Sequence, residues 1–397
     1  MNKKSVSEMD VTGKRVLLRV DFNVPLNDER EVSDDTRIIA SLPTLAYLIE
    51  KQAKVIIVSH LGRPKGKYDE RYRLNPVANR LQELIGRPVQ KVNDCVGEEP
   101  KAVISKMQPG DVLLLENVRF YPGEEKNDEK FARSLAELAD IYVNDAFGTA
   151  HRAHASTEGV AHFLPAVAGF LMQKEITMLG KTIMQPEHPF FIILGGAKIS
   201  DKIGIINNLL EKVDDLIIGG GMANTFLRAA GYEMGKSLIE ADKVDFAGEL
   251  AAKIKDRGLN LMLPVDLVVT PAAEPGSEKK VVSVKEVPED WMALDIGPET
   301  IEVFSRSVRM AKTVIWNGPM GVFEMAPFSK GTFSLARALA ESGAVTVVGG
   351  GDTASAVEKA GVADRMTHIS TGGGASLEFI EGKVLPGVAA LLDDRKG

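Results

Sequence analysis

Arg37, Arg63, Arg119 and Arg152 are the residues whose type and spacing first suggest chemistry. Arg63 lies in His60-Leu61-Gly62-Arg63-Pro64, directly behind the apolar run 54–59. Arg119 lies in Glu116-Asn117-Val118-Arg119, behind the run 111–115. Arg152 lies in His151-Arg152-Ala153-His154, shortly after the run 141–143 and Asn144-Asp145. The run 16–20 leads to Asp21-Phe22-Asn23, and Arg37 follows a helix start at Asp34-Asp35. Guanidinium forks match phosphate and carboxylate geometry. One arginine behind a strand is an ordinary solvated loop residue. Four at one sheet edge predict a small polyanionic ligand; a structural ion-pair cluster is the competing reading. Asp21 and Asn23 then bind a neutral polar part of that ligand, such as a hydroxyl.

The second half ends its apolar runs in glycine. Run 190–194 enters Gly195-Gly196-Ala197-Lys198, and Lys202 follows four residues on. Run 216–218 enters Gly219-Gly220-Gly221, and run 313–316 enters Asn317-Gly318-Pro319-Met320-Gly321, reaching Glu324. Run 345–348 enters Gly349-Gly350-Gly351-Asp352-Thr353, and Ile369 leads to Gly372-Gly373-Gly374. Glycine lets backbone approach a ligand, and a following helix offers free N–H groups to an anion. A single such triplet reads as a tight turn; four in one half predict a nucleotide. Lys198 and Lys202 share a face if a helix begins there. Asp352 beside a phosphate turn suits Mg²⁺, which takes few carboxylates and several phosphate oxygens.

Familiar nucleotide motifs do not account for these glycines. Gly231-Tyr232-Glu233-Met234-Gly235-Lys236-Ser237 is one residue short of a P-loop. The dinucleotide pattern fails because Gly219 and Gly221 meet Asn224, and Gly349 and Gly351 meet Ala354. That argues against a dehydrogenase. The protein-kinase signatures are absent. A nucleotide-gated binding module without turnover is the remaining alternative, and the arginine set argues against it.

The elements that must position these residues are short buried strands alternating with amphipathic stretches. Strand-like runs also occur at 261–269; helical stretches lie at 37–52, 75–85, 129–138, 200–212, 241–256 and 331–341. This alternation predicts α/β architecture with parallel sheets. A helical pattern over 168–184, ending before Pro186 and Pro189, reads as an inter-domain helix. The 397 residues exceed what one core usually holds, so two α/β domains are expected. With 48 Lys and Arg against 55 Asp and Glu, the net charge is −7, unsuited to broad nucleic-acid or membrane binding. The single cysteine, Cys95, excludes an internal disulfide and receives no role. No apolar region follows Lys3 and Lys4, so no secretory signal is expected and the location is expected to be cytoplasmic.

These residues resemble those of phosphoglycerate kinases. The matching motifs are Arg19-Val20-Asp21-Phe22-Asn23-Val24-Pro25, Ser59-His60-Leu61-Gly62-Arg63-Pro64, Glu116-Asn117-Val118-Arg119-Phe120, and Asn144-Asp145-Ala146-Phe147-Gly148-Thr149-Ala150-His151-Arg152. They continue through 194–202, 316–324, 349–354 and 370–382, in order along essentially the whole chain. No departure occurs at these positions.

The resemblance implies two Rossmann-like domains with parallel sheets, facing each other across a cleft and joined by a helix. Its divisions would be a phosphoglycerate-binding domain at 1–170, a linker helix at 171–187, a nucleotide-binding domain at 188–381, and a returning segment at 382–397. It implies reversible Mg²⁺-dependent phosphoryl transfer between 1,3-bisphosphoglycerate with ADP and 3-phosphoglycerate with ATP. Arg63, Arg119 and Arg152 would grip the non-transferring phosphate; Asp21, Phe22, Asn23, His60, Leu61 and Gly62 would position the glycerate. Arg37 would face the carboxylate end and the transferring group, acting in catalysis with Lys198, Lys202 and Gly373. Lys202, Gly219, Asn317, Glu324, Gly350, Gly351, Asp352 and Thr353 would hold the nucleotide, with Asp352 on the metal. The resemblance further implies a monomer with no redox or covalently bound cofactor. It also implies hinge closure around the linker helix and 371–376.

Overall fold

The computed structural model describes residues 2–274 and 276–394. The last three residues of the segment expected at 382–397 lie outside the described residues. The chain divides into two compact units, Met1–Thr177 with Val384–Gly397, and Met178–Lys383.

In the first unit, six strands form one parallel sheet: β1 (Arg15–Arg19), β2 (Lys54–Val58), β3 (Gln90–Lys91), β4 (Val112–Leu114), β5 (Ile141–Asn144) and β6 (Ala166–Ala168). Their order is β3-β4-β2-β1-β5-β6. The central strands are buried almost throughout, so they read as unbroken apolar runs rather than alternating ones. The helix Thr36–Glu50 turns Ile38, Leu45 and Leu48 inward at helical spacing. Helix Asn75–Ile85 buries Val77, Ala78 and Leu81, starts with Pro76 in its first turn, and stops at Gly86, whose φ is +62°.

The second unit has a parallel sheet of β7 (Phe190–Leu194), β8 (Asp215–Ile218) and β9 (Asn260–Met262) joined by later strands. Between them the chain forms β10 (Asp266–Thr270), β11 (Lys280–Ser283) and β12 (Met292–Ile296), then β13 (Thr313–Asn317), β14 (Val345–Gly349) and β15 (His368–Ile369). The large sheet runs β15-β14-β13-β7-β8-β9. Strands β10 to β12 make a separate antiparallel sheet, ordered β11-β10-β12.

That small sheet stands in addition to the two expected parallel sheets. It also divides the single run expected at 261–269 into β9 and β10, in different sheets. Pro264 stands between them, and proline cannot donate to a ladder. The helix expected from 200 begins as a 3₁₀ turn, Ser200–Lys202, before Ile203–Leu209. The helix expected from 168 runs Phe170–Met184, because Ala168 ends β6. Among the described residues, no helix is long and apolar enough to cross a membrane.

Each large sheet has a central switch in strand order, between β1 and β5 and between β7 and β13. Loops leaving the carboxyl ends of such strands diverge and open a crevice, the usual ligand position in open α/β sheets.

Candidate active site

At the first crevice, Arg19 ends β1 and is 1% exposed. Its Nε donates to Ser156 Oγ at 2.8 Å, its Nη2 meets His60 Nδ1 at 3.2 Å, and its Nη1 donates to the Val20 carbonyl. Arg37 Nη1 donates to Asp21 Oδ2 at 3.1 Å and to the Asn23 carbonyl at 3.2 Å. Asn23 Oδ1 accepts from Gly62 N at 2.8 Å, and Arg119 Nη1 donates to the Gly62 carbonyl at 2.7 Å. Arg152 Nε donates to His151 Nε2 at 3.2 Å.

These groups form an electrostatic cluster. His60 is held well below the usual imidazole range, first by burial and then by Arg19, Arg119, Arg152 and Arg37. Burial pulls Arg119 down to about 10, with Arg19 and Arg152 adding to the fall and the Glu125 carboxylate opposing it. Burial and the same arginines pull His154 down to about 4. The two imidazoles are therefore neutral near pH 7. Mutually repelling guanidinium groups in a buried setting are stabilised by an incoming anion.

The structure brings together Arg37, Arg119, Arg152, Asp21, Asn23, His60 and Gly62. Arg63 is exposed and makes no ion pair among the described residues. Phe22 and Leu61 put their side chains into the core, so only their backbone can meet a ligand. Phe22 N donates to Ser59 Oγ at 3.0 Å, and the Leu61 carbonyl accepts from Asn117 Nδ2 at 2.7 Å. Arg19 was not singled out by its sequence position, because it closes an apolar run. Its place two residues before Asp21, at the end of the same strand, was the available signal.

At the second crevice, Asn317 ends β13. Its Nδ2 donates to the Gly349 carbonyl at 2.6 Å, and its Oδ1 accepts from Lys202 Nζ. Gly318 N donates to Thr353 Oγ1 at 2.7 Å. Loops after β7 and β13 run so close that Gly195 N donates to the Asn317 carbonyl at 2.9 Å and Gly196 N to the Pro319 carbonyl at 3.0 Å. A cavity of ≈ 360 Å³ opens here, lined by Lys198, Lys202, Asn317, Asp352, Thr353 and Gly373 among others. Gly350 and Gly351 line it too, where helix Gly351–Lys359 begins. Its first N–H groups and dipole favour phosphate.

Beside it lies an apolar cavity of ≈ 260 Å³, lined by Leu238, Leu267, Leu294, Ile296, Met320 and Val322. Glu324 lines its rim, and Gly196, Ala197, Pro319 and Asp352 border both spaces. A polar space adjoining an apolar one suits a phosphate chain adjoining a nucleobase. Gly219 is buried against Met320, so it shapes the wall rather than the opening. Burial lowers the pKa of Lys202, opposed by Asp201, Asp352 and Glu381.

One carboxylate, Asp352, touches both cavities, with Asp201 at the polar one. Such a sparse set fits Mg²⁺, which takes much of its shell from phosphate oxygens and water. Among the described residues no group of three His, Cys, Asp or Glu could hold a metal alone.

The sequence profile described as phosphoglycerate kinase matches residues 6–383. A phosphoglycerate kinase of Pelotomaculum thermopropionicum is 65% identical over 99% of this chain and 100% of its own. One from Moorella thermoacetica is 61% identical over the same shares. The solved phosphoglycerate kinase of Coxiella burnetii is 42% identical, covers 98% of both chains, and has a TM-score of 0.90. That of Pyrococcus horikoshii is 35% identical over 98% of each, with a TM-score of 0.85.

Proposed function

Since this chain belongs to the phosphoglycerate kinase family, we propose that its two crevices divide that family's reaction between them. The reaction transfers a phosphoryl group reversibly between 1,3-bisphosphoglycerate with ADP and 3-phosphoglycerate with ATP. An acyl phosphate has a carboxylate leaving group, so no strong base is required. Alignment and charge neutralisation suffice.

The cluster of Arg37, Arg119 and Arg152 around neutral His60 carries this reading. Arg63, Arg119 and Arg152 hold the non-transferring phosphate. Asp21, Asn23, His60 and the backbone of Phe22, Leu61 and Gly62 place the glycerate. Arg37 faces the carboxyl end, where it stabilises charge on the transferring group. In the second unit, Lys198, Lys202, Asn317 and Gly373 neutralise or cradle the phosphates. Gly350, Gly351 and Thr353 receive them at the helix start, and Gly219 and Glu324 bound the nucleoside. Asp352 would hold Mg²⁺, which when bound neutralises phosphate charge.

In-line transfer needs both ligands in a space free of bulk water. Hinge closure involving the helix Phe170–Met184 and residues 371–376 supplies that space. The functional divisions are 1–170, 171–187, 188–381 and 382–397, and the enzyme works as a cytoplasmic monomer.

The test is a coupled assay. Purified protein is mixed with ATP, Mg²⁺ and 3-phosphoglycerate, and glyceraldehyde-3-phosphate dehydrogenase reports product through NADH loss. Loss that requires all three additions is expected. No loss, with ATP binding still seen by calorimetry, would assign the first crevice to a different anion.

A further inference from the structure

We propose that Glu124, Ser156 and Arg19 form a buried relay that fixes His60 as the tautomer protonated on Nε2, making Ser156 and Glu124 positioning residues for the three-carbon acid. Glu124 is 0% exposed. Its Oε1 accepts from Ser156 Oγ at 2.6 Å and its Oε2 from Ser156 N at 2.9 Å. The serine hydroxyl has one proton, and Glu124 takes it. Its lone pairs therefore face Arg19, whose Nε donates at 2.8 Å.

With Nε engaged there and Nη1 on the Val20 carbonyl, the Arg19 fork is fixed and its Nη2 meets His60 Nδ1 at 3.2 Å. A guanidinium only donates. His60 Nδ1 must then accept, which leaves the proton of the neutral ring on Nε2. The competing tautomer would point an Nδ1 proton at a donor. The Asp21 carboxylate could accept it, but its Oδ1 is 3.9 Å away, beyond hydrogen-bond reach. Burial and the surrounding arginines keep the ring neutral, so the choice between tautomers is the only one open.

The relay does not touch the ligand. It acts by giving His60 a donor at Nε2. Glu124 is itself drawn upward by burial and held back first by Arg19, then by the two bonds from Ser156. The consequence for substrate rests on the reading that His60 faces the glycerate; the tautomer does not.

The imidazole nitrogens of the intact enzyme are read by ¹H–¹⁵N correlation spectroscopy, with His60 assigned through His60→Gln. Wild type should show His60 protonated on Nε2 and bare on Nδ1. Ser156→Ala frees Arg19, so an Nδ1–H population should appear and KM for 3-phosphoglycerate should rise about tenfold, with KM for ATP unchanged. Ser156→Thr keeps the hydroxyl and should restore both. Nδ1–H in wild type would overturn the relay whether or not the variants fold. So would a Ser156→Ala enzyme whose His60 tautomer does not move. A moved tautomer with an unchanged KM would support the relay and remove His60 from the substrate.

Discussion

Arg37 spends one nitrogen on Asp21 and its neighbour: Nη1 donates to Asp21 Oδ2 at 3.1 Å and to the Asn23 carbonyl at 3.2 Å. Nε and Nη2 make no hydrogen bond among the described residues, and the side chain is 40% exposed. Arg37→Ala should lower kcat by about 10²-fold, as for loss of one charge-stabilising donor. A variant that only raises KM for 3-phosphoglycerate would move Arg37 into ground-state binding.

Asp145 follows β5, and its Oδ1 accepts from Leu171 N at 2.9 Å and Met172 N at 3.2 Å where the helix Phe170–Met184 begins. Burial pushes its carboxyl from the usual 3.8 up to about 7. Between those values the unfolded chain loses its proton while the fold keeps it. The Asp145 contribution to stability therefore falls as pH rises from about 4 to about 7, then levels off. Asp145→Asn cannot titrate. Wild-type stability relative to that variant should decline across this window, at no more than about 1.4 kcal/mol per pH unit. Urea midpoints at a series of pH values measure it, and a difference that is flat or rises would refute it. Asp295, also pushed up to about 7 by burial, contributes the same slope to both proteins and cancels.

Gly350 has a φ of +89°, and a Cβ there would stand 2.6 Å from Asn317 Nδ2. Asn317 cannot move aside, being held by the Gly349 carbonyl and Lys202. Gly350→Ala should cost about 1–3 kcal/mol of stability through backbone strain. It should also weaken ADP by about tenfold, one lost charge-assisted bond. Calorimetry showing unchanged ADP affinity in a less stable protein would confine Gly350 to the fold.

The strand ends that carry these residues were legible because the strands are buried on both faces, and each apolar run stops where polarity begins. Of the 261–269 run, only Pro264 told that it holds two strands. The antiparallel sheet went unread because Met292–Ile296 is half exposed and carries Asp295 in its midst. Phe22 and Leu61 shared motifs with Asp21, Asn23 and His60, and motif membership does not say which way a side chain faces. Arg19 looked like a flaw in an apolar strand, since its partners Ser156 and His60 are 137 and 41 residues away.

Asp352 would be the metal's protein contact in this arrangement. Asp352→Asn should raise the Mg²⁺ concentration for half-maximal rate by about tenfold, the worth of one carboxylate bond lost. ADP binding in EDTA should hardly change. Equal weakening with and without metal would instead give Asp352 a direct role at the nucleotide.

Small-angle scattering tests hinge closure. The radius of gyration should fall when 3-phosphoglycerate and a magnesium–nucleotide complex are both present, and less with either alone. No compaction with both would count against closure.

The segment after residue 383 belongs with the first unit, not with the second unit that precedes it. Gly387 N donates to the Ala150 carbonyl at 2.8 Å, its own carbonyl accepts from Asn144 Nδ2 at 3.2 Å, and Leu392 N donates to Ala166 at 2.9 Å. Ala150 and Asn144 flank the loop that leads to Arg152. A ribosome makes the chain from the amino end, so the unit begun first lacks these partners until the whole second unit has been translated. Synthesis thus imposes a schedule: the second unit can fold as it emerges, while the arginine site is finished last.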